Sequence, residues 1–390
     1  MALSELPLSY CTNVHPGRTV HEVEDGLDRY TVPVMRAAGV PLAAGLWLAR
    51  PVVTALLNDA ASLERFAQGL SRRGLSCHTL NAFPFGDFHS ERVKENVYLP
   101  DWTTPERLAY TTDCAEVLAR LLPAGVDGSI STLPLGFRGF EQPSSFLQTC
   151  AEQLVECATR LAGRRERTGR TIRLAVEPEP FCVVETTPEA IDFFKLLWRV
   201  ADRAGAADAV RTHIGLCFDI CHQAVEFEDV AESIRSLDRE GVRINKLHVS
   251  CALQLDDPRH NADGRAALKR YVEPRYLHQT IAALPDGRHA RAVDLNEKLI
   301  DAPGNDFVGA GAWRVHFHVP VDAERIGPLQ TTRPALKEAL AAVAKLDYAP
   351  HLEVETYTWG VLPGEDKPDL VTGLTRELVA TRALLEAQCR

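Results

Sequence analysis

The feature that most constrains the fold of this chain is a repeated alternation of short apolar segments with longer amphipathic ones. Eight segments have the length and composition of strands, and they cover residues 8–15, 42–48, 76–83, 128–135, 172–179, 214–221, 244–250 and 351–357. Helical patterns lie between most of them, and a last one follows, at 60–74, 105–122, 145–165, 188–205, 229–241, 332–348 and 369–388. This alternation is typical of βαβ units that build a parallel sheet.

Eight such units fit a closed barrel better than an open sheet. A doubly wound sheet would carry a glycine-rich phosphate turn after its first strand, whereas residues 13–17 read NVHPG. The length of 390 residues would also suit two or three average domains, but a barrel with insertions can use it alone. We therefore predict an α/β fold, a (β/α)₈ TIM barrel, as a single domain over residues 1–390.

The segment 251–330 is too long for an ordinary connection after the seventh strand. It contains a helical pattern at 266–284 and strand-like runs at 289–295 and 313–321. We predict an ordered insertion that caps the C-terminal mouth of the barrel. In the last run His316 and His318 share one face, so both are candidates for contacts with a substrate or a metal.

Four residues lie late in four consecutive predicted strands, namely Glu177, Asp219, His248 and Glu355. In a parallel barrel these strand ends meet at one mouth. Three carboxylates enclosed there would repel one another and raise their pKa values, and a divalent cation removes that repulsion. A set of three oxygen ligands and one nitrogen ligand suits Mn²⁺, Mg²⁺, Co²⁺ or Zn²⁺. Any one of the four alone would be an ordinary surface or core residue, and it is their joint occurrence that favours a site.

Other candidates surround this group. Glu353 shares a face with Glu355 and competes with it as a ligand, although its position two residues deeper favours a role in the core. Substrate contacts are predicted for residues at the ends of the first and third strands, Asn13, His15 and Asn81. Lys94 and Arg138 follow the third and fourth strands and could neutralise a phosphate.

The composition limits the partners of the chain. A net charge of −10 does not favour a nucleic-acid backbone, so a small-molecule metabolite is the expected partner. Residues 1–10 do not resemble a secretory signal, and no apolar run approaches the roughly 18 residues of a membrane span. The ten cysteines include no CxxC pair. We therefore predict reduced thiols and a cytoplasmic location, and leave open whether the chain forms a homo-oligomer.

Several of these motifs resemble a known superfamily. The FDICH motif with Asp219 and His222, the KLHVS motif, and the glutamates of VEP and VETY resemble the xylose-isomerase-like sugar isomerases and epimerases. The resemblance implies a metal held by the four strand-end residues. It also implies that Glu177 and Glu355 are an acid–base pair that transfers a proton through an enediolate, and that His222 contacts a substrate hydroxyl.

A second set of segments resembles a narrower family. SYCTNVHPG, NAFPFGDFH, VYLPDW, FDICHQAVEFED, HFHVPV and VETYTW are similar to the metabolite traffic protein family of the ebo gene cluster. That resemblance implies a TIM barrel related to sugar phosphate isomerases. It also implies a role in moving or processing a small, isoprenoid-linked metabolite, without specifying a reaction.

Three functions are compatible with these observations. The first is a metal-dependent isomerase or epimerase of a small polyhydroxylated or sugar-phosphate-like metabolite. The second is a metal-dependent hydrolase, endonuclease-like, with extra ligands from His222, His316 and His318. The third is a non-catalytic metabolite-binding or traffic protein that uses the barrel mouth. A metal count per chain separates the first from the second, and turnover separates the first from the third.

Overall fold

A computed structural model describes residues 5–364 and 367–388. Its strands are, in chain order, β1 Ser9–Cys11, β2 Ala43–Trp47, β3 Ser76–Asn81, β4 Gly128–Thr132, β5 Ile172–Val176, β6 Ile214–Asp219, β7 Ile244–Val249, β8 Leu253–Asp256, β9 Thr280–Ala283, β10 His289–Ala292, β11 Ala312–Val315, β12 Arg325–Ile326, β13 Leu329–Thr331 and β14 His351–Val354. Strands β1–β7 and β14 close a parallel barrel in the order β1-β14-β7-β6-β5-β4-β3-β2. The predicted (β/α)₈ barrel with an insertion after its seventh strand is confirmed.

The helices surround this barrel and connect its strands. The α-helices are Val20–Gly26, Val32–Ala38, Arg50–Asn58, Ala60–Arg72, Pro105–Leu121, Phe146–Thr168, Thr187–Arg203, Ala207–His213, Ile220–Val225, Val230–Arg239, Ala262–Leu268, Glu297–Asp301, Asn305–Gly309, Arg333–Val343 and Leu370–Gln388. Their boundaries follow local signals: the helix Thr187–Arg203 begins with a capping box in which Thr186 and Glu189 satisfy each other's backbone amides. None of the helices in the described part of the chain combines the length and hydropathy that a membrane span requires.

The structure also contains several shorter helical turns, and the cysteines it describes are buried. The 3₁₀-helices are Thr12–Val14, Lys94–Tyr98, Lys269–Tyr271 and Tyr357–Gly360, and a π-helix covers Leu27–Thr31. Nine of the ten cysteines are buried free thiols, and Cys389 lies outside the described residues.

The insertion forms its own antiparallel sheet of six strands in the order β10-β9-β11-β8-β13-β12. The predicted helix at 266–284 is wrong for most of its length, because helical structure ends with the 3₁₀-helix Lys269–Tyr271 and β9 pairs with β10 and β11 instead. The strand-like run at 313–321 keeps strand pairing only as far as Val315. Its remainder bends toward the barrel, where Val319 N donates to Cys251 O at 2.9 Å.

A salt bridge ties this sheet to the barrel loops. Arg291 on β10 donates to Glu226 at 2.8 and 2.9 Å and to Glu185 at 2.9 Å. Both carboxylates are buried. The bidentate geometry with Glu226 fixes orientation as well as distance, so the insertion is held in one position against the barrel.

The barrel interior contains a buried ion pair below the mouth. Lys246 Nζ on β7 lies 2.6 Å from Glu353 Oε2 on β14, and both side chains are fully buried. Lys246 Nζ also lies 3.2 Å from Ser131 Oγ on β4. Glu353 is therefore part of the barrel core, which leaves Glu355 as the glutamate of this strand that reaches the mouth.

The space for this pair depends on Gly45 on β2. A Cβ atom at that position would lie 2.7 Å from Glu353 Cδ and 2.7 Å from the carbonyl oxygen of Tyr10. We expect Gly45→Ala to lower the free energy of unfolding by about 1–3 kcal/mol, the usual range for overpacking, as measured by urea denaturation. Gly86→Ala is the matched control, because nothing lies within 4 Å of its added methyl group. Equal midpoints for the two variants would contradict this account of Gly45.

Candidate metal centre and cavity

The C-terminal strand ends bring together Glu177, Asp219, His248 and Glu355, here called the four-residue cluster. Each offers one ligand atom, and these atoms all lie within 4.8 Å of one another. His248 Nδ1 lies 2.7 Å from Glu355 Oε2, 3.1 Å from Glu177 Oε1 and 3.4 Å from Asp219 Oδ2. All four residues are buried. The group is therefore a compact acidic centre around one imidazole nitrogen.

The surroundings shift the pKa values of the residues in this cluster in opposite directions. Burial raises the pKa of Glu177 to about 7. Burial also opposes charge on Glu355, but the adjacent His248 outweighs it and lowers the pKa of Glu355 to about 2. Burial opposes a charged His248 as well, yet Cys217, Glu177 and Glu355 hold its pKa well above the ordinary value. The centre thus stabilises a positive charge at its middle.

The donor set fits a hard divalent cation. One hydrogen on His248 Nδ1 cannot serve three carboxylates at once, and Glu177 Oε2 and Asp219 Oδ2 have no hydrogen-bond partner among the described residues. Two neighbouring octahedral ligands at about 2.1 Å from an ion lie about 3.0 Å apart. The measured separations of 2.7–3.4 Å from His248 Nδ1 match that spacing. These residues are thus a buried group that could hold a metal ion.

The side-chain amides of Asn13 and Asn81, both predicted to lie at the mouth, donate hydrogen bonds to Glu355. Asn13 Nδ2 donates to Glu355 Oε1 at 2.9 Å, and Asn81 Nδ2 donates to the same oxygen at 3.1 Å. Asn81 Oδ1 in turn accepts from the backbone N–H of Phe83 at 2.9 Å, which fixes the orientation of that amide. Asn13 Oδ1 has no partner among the described residues and remains free to accept a hydrogen bond.

His15 is not brought to this mouth. Its Nε2 lies 3.0 Å from the hydroxyl of Tyr10, and its ring packs 4.8 Å from that of Tyr30. The chain enters the 3₁₀-helix Thr12–Val14 directly after β1, so strand alternation does not extend to His15. Its predicted contact with substrate has no support in this geometry.

A cavity of about 60 Å³ adjoins the cluster. Its polar end is formed by Asn13, Asn81, Glu177, Glu179, His222, His316 and Glu355. Its remaining walls consist mainly of apolar and aromatic side chains, Phe83, Pro84, Phe88, Val93, Val97, Tyr98, Tyr276, Leu277 and Tyr357, with Lys94 among them. This lining is typical of a small-molecule site with one polar end.

The insertion contributes directly to this cavity. Tyr276, Leu277 and His316 come from the insertion, and all three form part of its wall. His222 also lines it, and its Nε2 lies 3.1 Å from Nε2 of His316. His318 lies behind them, fully buried, with Nδ1 2.8 Å from the backbone carbonyl oxygen of Glu355. His222, His316 and His318, which the sequence predicted near the site, therefore lie together beside the four-residue cluster.

Three polar residues of the cavity region were missed by the sequence analysis. Glu179 is buried, and burial raises its pKa to about 8. It accepts hydrogen bonds from the Tyr98 hydroxyl at 2.8 Å and from Gln279 Nε2 at 3.2 Å. The position of Glu179 two residues after Glu177 was a usable signal. Tyr98 and Gln279 follow long connections, and nothing in the local pattern marks them.

A thermal measurement tests metal binding at the four-residue cluster. We expect Mn²⁺ at one hundred times its dissociation constant to add about 2.7 kcal/mol to the free energy of unfolding of the chelated protein. With an unfolding entropy of about 2.1 cal/mol/K per residue, this raises Tm by about 3 °C. Glu355→Gln removes one charged ligand and weakens Mn²⁺ binding, so the increase at the same Mn²⁺ concentration should be smaller. An equal increase in the variant would place the ion elsewhere.

Comparisons with known proteins agree with the architecture. No family model matches the sequence, and no curated protein matches it either. Among solved structures, a D-tagatose 3-epimerase-like protein superposes with a TM-score of 0.50 at 12% identity, covering 99% of this chain and 100% of that one. The chain therefore shares the TIM-barrel fold of that protein. At this level of identity the likeness concerns the fold alone.

Two further structures have lower scores. A xylose isomerase-like TIM barrel protein from Mycobacterium smegmatis in complex with magnesium gives a TM-score of 0.47 at 13% identity, covering 98% of each chain. The IOLI protein with a bound zinc atom gives 0.48 at 14% identity, covering 98% of this chain and 99% of that one.

Proposed function

We propose that this protein is a metal-dependent isomerase or epimerase that moves a proton next to a carbonyl group of a small metabolite. The observation that carries this proposal is geometric: the buried glutamates Glu177 and Glu355 line one end of a cavity, and both lie beside His248, at 3.1 Å and 2.7 Å from its Nδ1. Two carboxyl groups whose environments separate their pKa values are suited to act as acid and base.

In this proposal Glu177, Asp219, His248 and Glu355 hold one divalent cation, of the class Mn²⁺, Mg²⁺, Co²⁺ or Zn²⁺. When bound, such a cation polarises a carbonyl group and offsets negative charge that develops on its oxygen. The three carboxylates and one imidazole nitrogen of the cluster support this assignment, because they leave ligand oxygens without any partner among the described residues.

The protein's own groups account for the proton transfer. Glu355, whose lowered pKa keeps it ionised and whose Oε1 accepts hydrogen bonds from Asn13 and Asn81, takes a proton from the carbon next to the carbonyl group. Glu177, whose pKa is raised to about 7 and whose Oε2 has no other partner among the described residues, returns a proton to that carbon. Asn13 Oδ1 is available to accept from a substrate hydroxyl. The reaction thus proceeds through an enediolate, as in the epimerases that the sequence resembles.

The cavity walls favour an unphosphorylated substrate with an apolar part. Lys94 Nζ already donates to Glu273 O, Tyr276 O and Asp294 Oδ2, so its three hydrogens are used. Arg138 pairs with Glu189 at 2.8 Å and does not line the cavity. Neither basic residue therefore offers a free cation to a phosphate in this cavity. We therefore propose a small hydroxycarbonyl compound that places its polar end at the cluster and its apolar remainder against the aromatic walls.

We further propose that the insertion, residues 251–330, caps the mouth of the barrel within a single domain. Its contribution of Tyr276, Leu277 and His316 to the cavity wall supports this role. A cap excludes water from a reactive enediolate. The structure also gives it a rigid attachment, since Arg291 pairs with two buried carboxylates of the barrel loops.

A proton-exchange experiment tests the function. The Mn²⁺-loaded protein is incubated in D₂O with α-hydroxyacetophenone, which joins a hydroxyketone to an apolar ring, and separately with D-fructose. We expect deuterium at the carbon next to the carbonyl group, measured by NMR, and faster incorporation for α-hydroxyacetophenone. Chelated protein provides the background rate. Metal-loaded protein that exchanges neither compound above that background would contradict the proposal.

The traffic role implied by the narrower resemblance would use the same cavity without turnover. A carrier would bind α-hydroxyacetophenone in a titration and show no exchange, so one pair of measurements separates the two functions.

A further inference from the structure

Three tyrosines line the cavity, and they differ in whether their hydroxyl groups already donate a hydrogen bond. The Tyr98 hydroxyl donates to Glu179 Oε1 at 2.8 Å, and the Tyr276 hydroxyl donates to the carbonyl oxygen of Phe88 at 3.1 Å. The Tyr357 hydroxyl makes no hydrogen bond to any residue that the structure describes. Of these three hydroxyl groups, that of Tyr357 therefore has its hydrogen available.

The ring of Tyr357 is held by other aromatic rings. Its centroid lies 5.4 Å from that of Phe88, 5.0 Å from that of Tyr276 and 4.8 Å from that of His318. Tyr276 and His318 belong to the insertion, whereas Tyr357 begins the 3₁₀-helix that follows β14. The ring thus packs between the barrel and its cap, and this packing fixes the direction of its hydroxyl group.

A tyrosine hydroxyl without a partner is uncommon in such surroundings, because buried tyrosines usually find one. Burial, and next the nearby carboxylate of Glu179, raise the pKa of Tyr357 well above its ordinary value, so the hydroxyl keeps its hydrogen. Unlike Tyr98 and Tyr276, Tyr357 is not completely buried and keeps part of its surface accessible. Since it also lines the cavity, a ligand bound there can supply the missing acceptor.

Other donors of the cavity already have acceptors within the protein. The side-chain nitrogens of Asn13 and Asn81 donate to Glu355, and Lys94 Nζ donates to three oxygens of the insertion. Gln279 Nε2, behind the wall, donates to Glu179. A ligand oxygen that lies beyond the four-residue cluster would therefore find an unused donor in Tyr357.

We propose that Tyr357 is a specificity-determining residue whose hydroxyl donates a hydrogen bond to a third oxygen of the ligand, beyond the carbonyl and hydroxyl oxygens at the four-residue cluster. This inference rests on the proposed function and narrows its substrate class to hydroxyketones that carry a further oxygen. A ligand without that oxygen would leave the Tyr357 hydroxyl unpaired, which lowers affinity.

The binding of two probes tests the role of Tyr357. Hydroxyacetone and dihydroxyacetone share a hydroxyketone group and differ by one hydroxyl group. Their dissociation constants for the Mg²⁺-loaded full-length protein are measured by saturation-transfer NMR. We expect the preference for dihydroxyacetone, expressed as the ratio of the two constants, to fall about 3- to 10-fold in Tyr357→Phe, the usual net effect of one hydrogen bond between neutral groups.

The ratio separates a contact with the ligand from a structural effect. A variant that merely displaced the loop after β14 would weaken the binding of both probes by the same factor and leave the ratio unchanged. Tyr110→Phe is the matched control. Tyr110 is buried, its hydroxyl donates to the carbonyl oxygen of Leu48 at 2.8 Å, and it does not line the cavity, so its variant should keep the ratio of the unaltered protein.

The outcomes distinguish this inference from the proposed function. An unchanged ratio in Tyr357→Phe would overturn the role of Tyr357 and leave the proposed function intact. An equal fall of the ratio in Tyr110→Phe would also overturn it, because the effect would not depend on a hydroxyl at the cavity. If neither probe bound to the unaltered, Mg²⁺-loaded protein, the proposed function would be contradicted, and this inference with it.

Discussion

Replacing Lys246 by methionine should lower the free energy of unfolding by about 3–5 kcal/mol, because Glu353 would remain as an uncompensated buried charge. The two side chains are fully buried and 2.6 Å apart in the barrel interior. Their attraction outweighs the desolvation that burial imposes on Lys246 and holds its pKa above the ordinary value. Urea denaturation followed by far-UV circular dichroism measures the loss.

Two controls show whether the loss arises from an unpaired charge. The double variant Lys246→Met/Glu353→Met removes both charges and should recover part of the stability that the single variant loses. Lys195 and Glu240 form a surface pair at 2.8 Å, and Lys195→Met should leave the urea midpoint nearly unchanged. A double variant less stable than Lys246→Met would show that packing, and not charge, dominates at this position.

The ion pair of Lys246 with Glu353 shows what the sequence could and could not predict about the eighth barrel strand, β14. Alternation placed Glu353 and Glu355 on one face, and the position of Glu353 two residues deeper favoured a role in the core without naming its partner. Backbone pairing even sets Glu353, not Glu355, opposite His248. Lys246 is the residue that keeps Glu353 in the core, because it lies deep in the barrel and pairs with that glutamate. That contact joins two strands distant in sequence, so no local pattern reveals it.

The barrel itself was predictable because its strands are buried on both faces and therefore appear as short apolar runs. The structure of the insertion was harder to predict. Residues 280–283 have a helical pattern in the sequence, but pairing of β9 with β10 and β11 overrides local preference. The aromatic walls of the cavity come largely from loops and from the insertion, whose positions depend on tertiary contacts such as Arg291 with Glu226.

Glu177→Gln and Glu355→Gln should each lower the rate of proton exchange by a factor of about 10²–10⁴, the usual contribution of a positioned acid or base. Glutamine preserves the shape of the side chain but cannot take up or release the proton. The rates are compared at Mn²⁺ concentrations that saturate each variant, with the bound metal counted, so that loss of the ion is not mistaken for loss of proton transfer.

The matched control for these variants is Glu377→Gln. Glu377 is also buried, and burial raises its pKa to about 7, as it does for Glu177. Its carboxylate accepts from the hydroxyl of Thr356 at 2.6 Å and from Trp359 Nε1 at 2.8 Å, and it does not line the cavity. If a raised pKa alone set the exchange rate, Glu377→Gln would slow it as well. We expect instead that its rate matches the unaltered protein, because Glu377 has no access to the cavity.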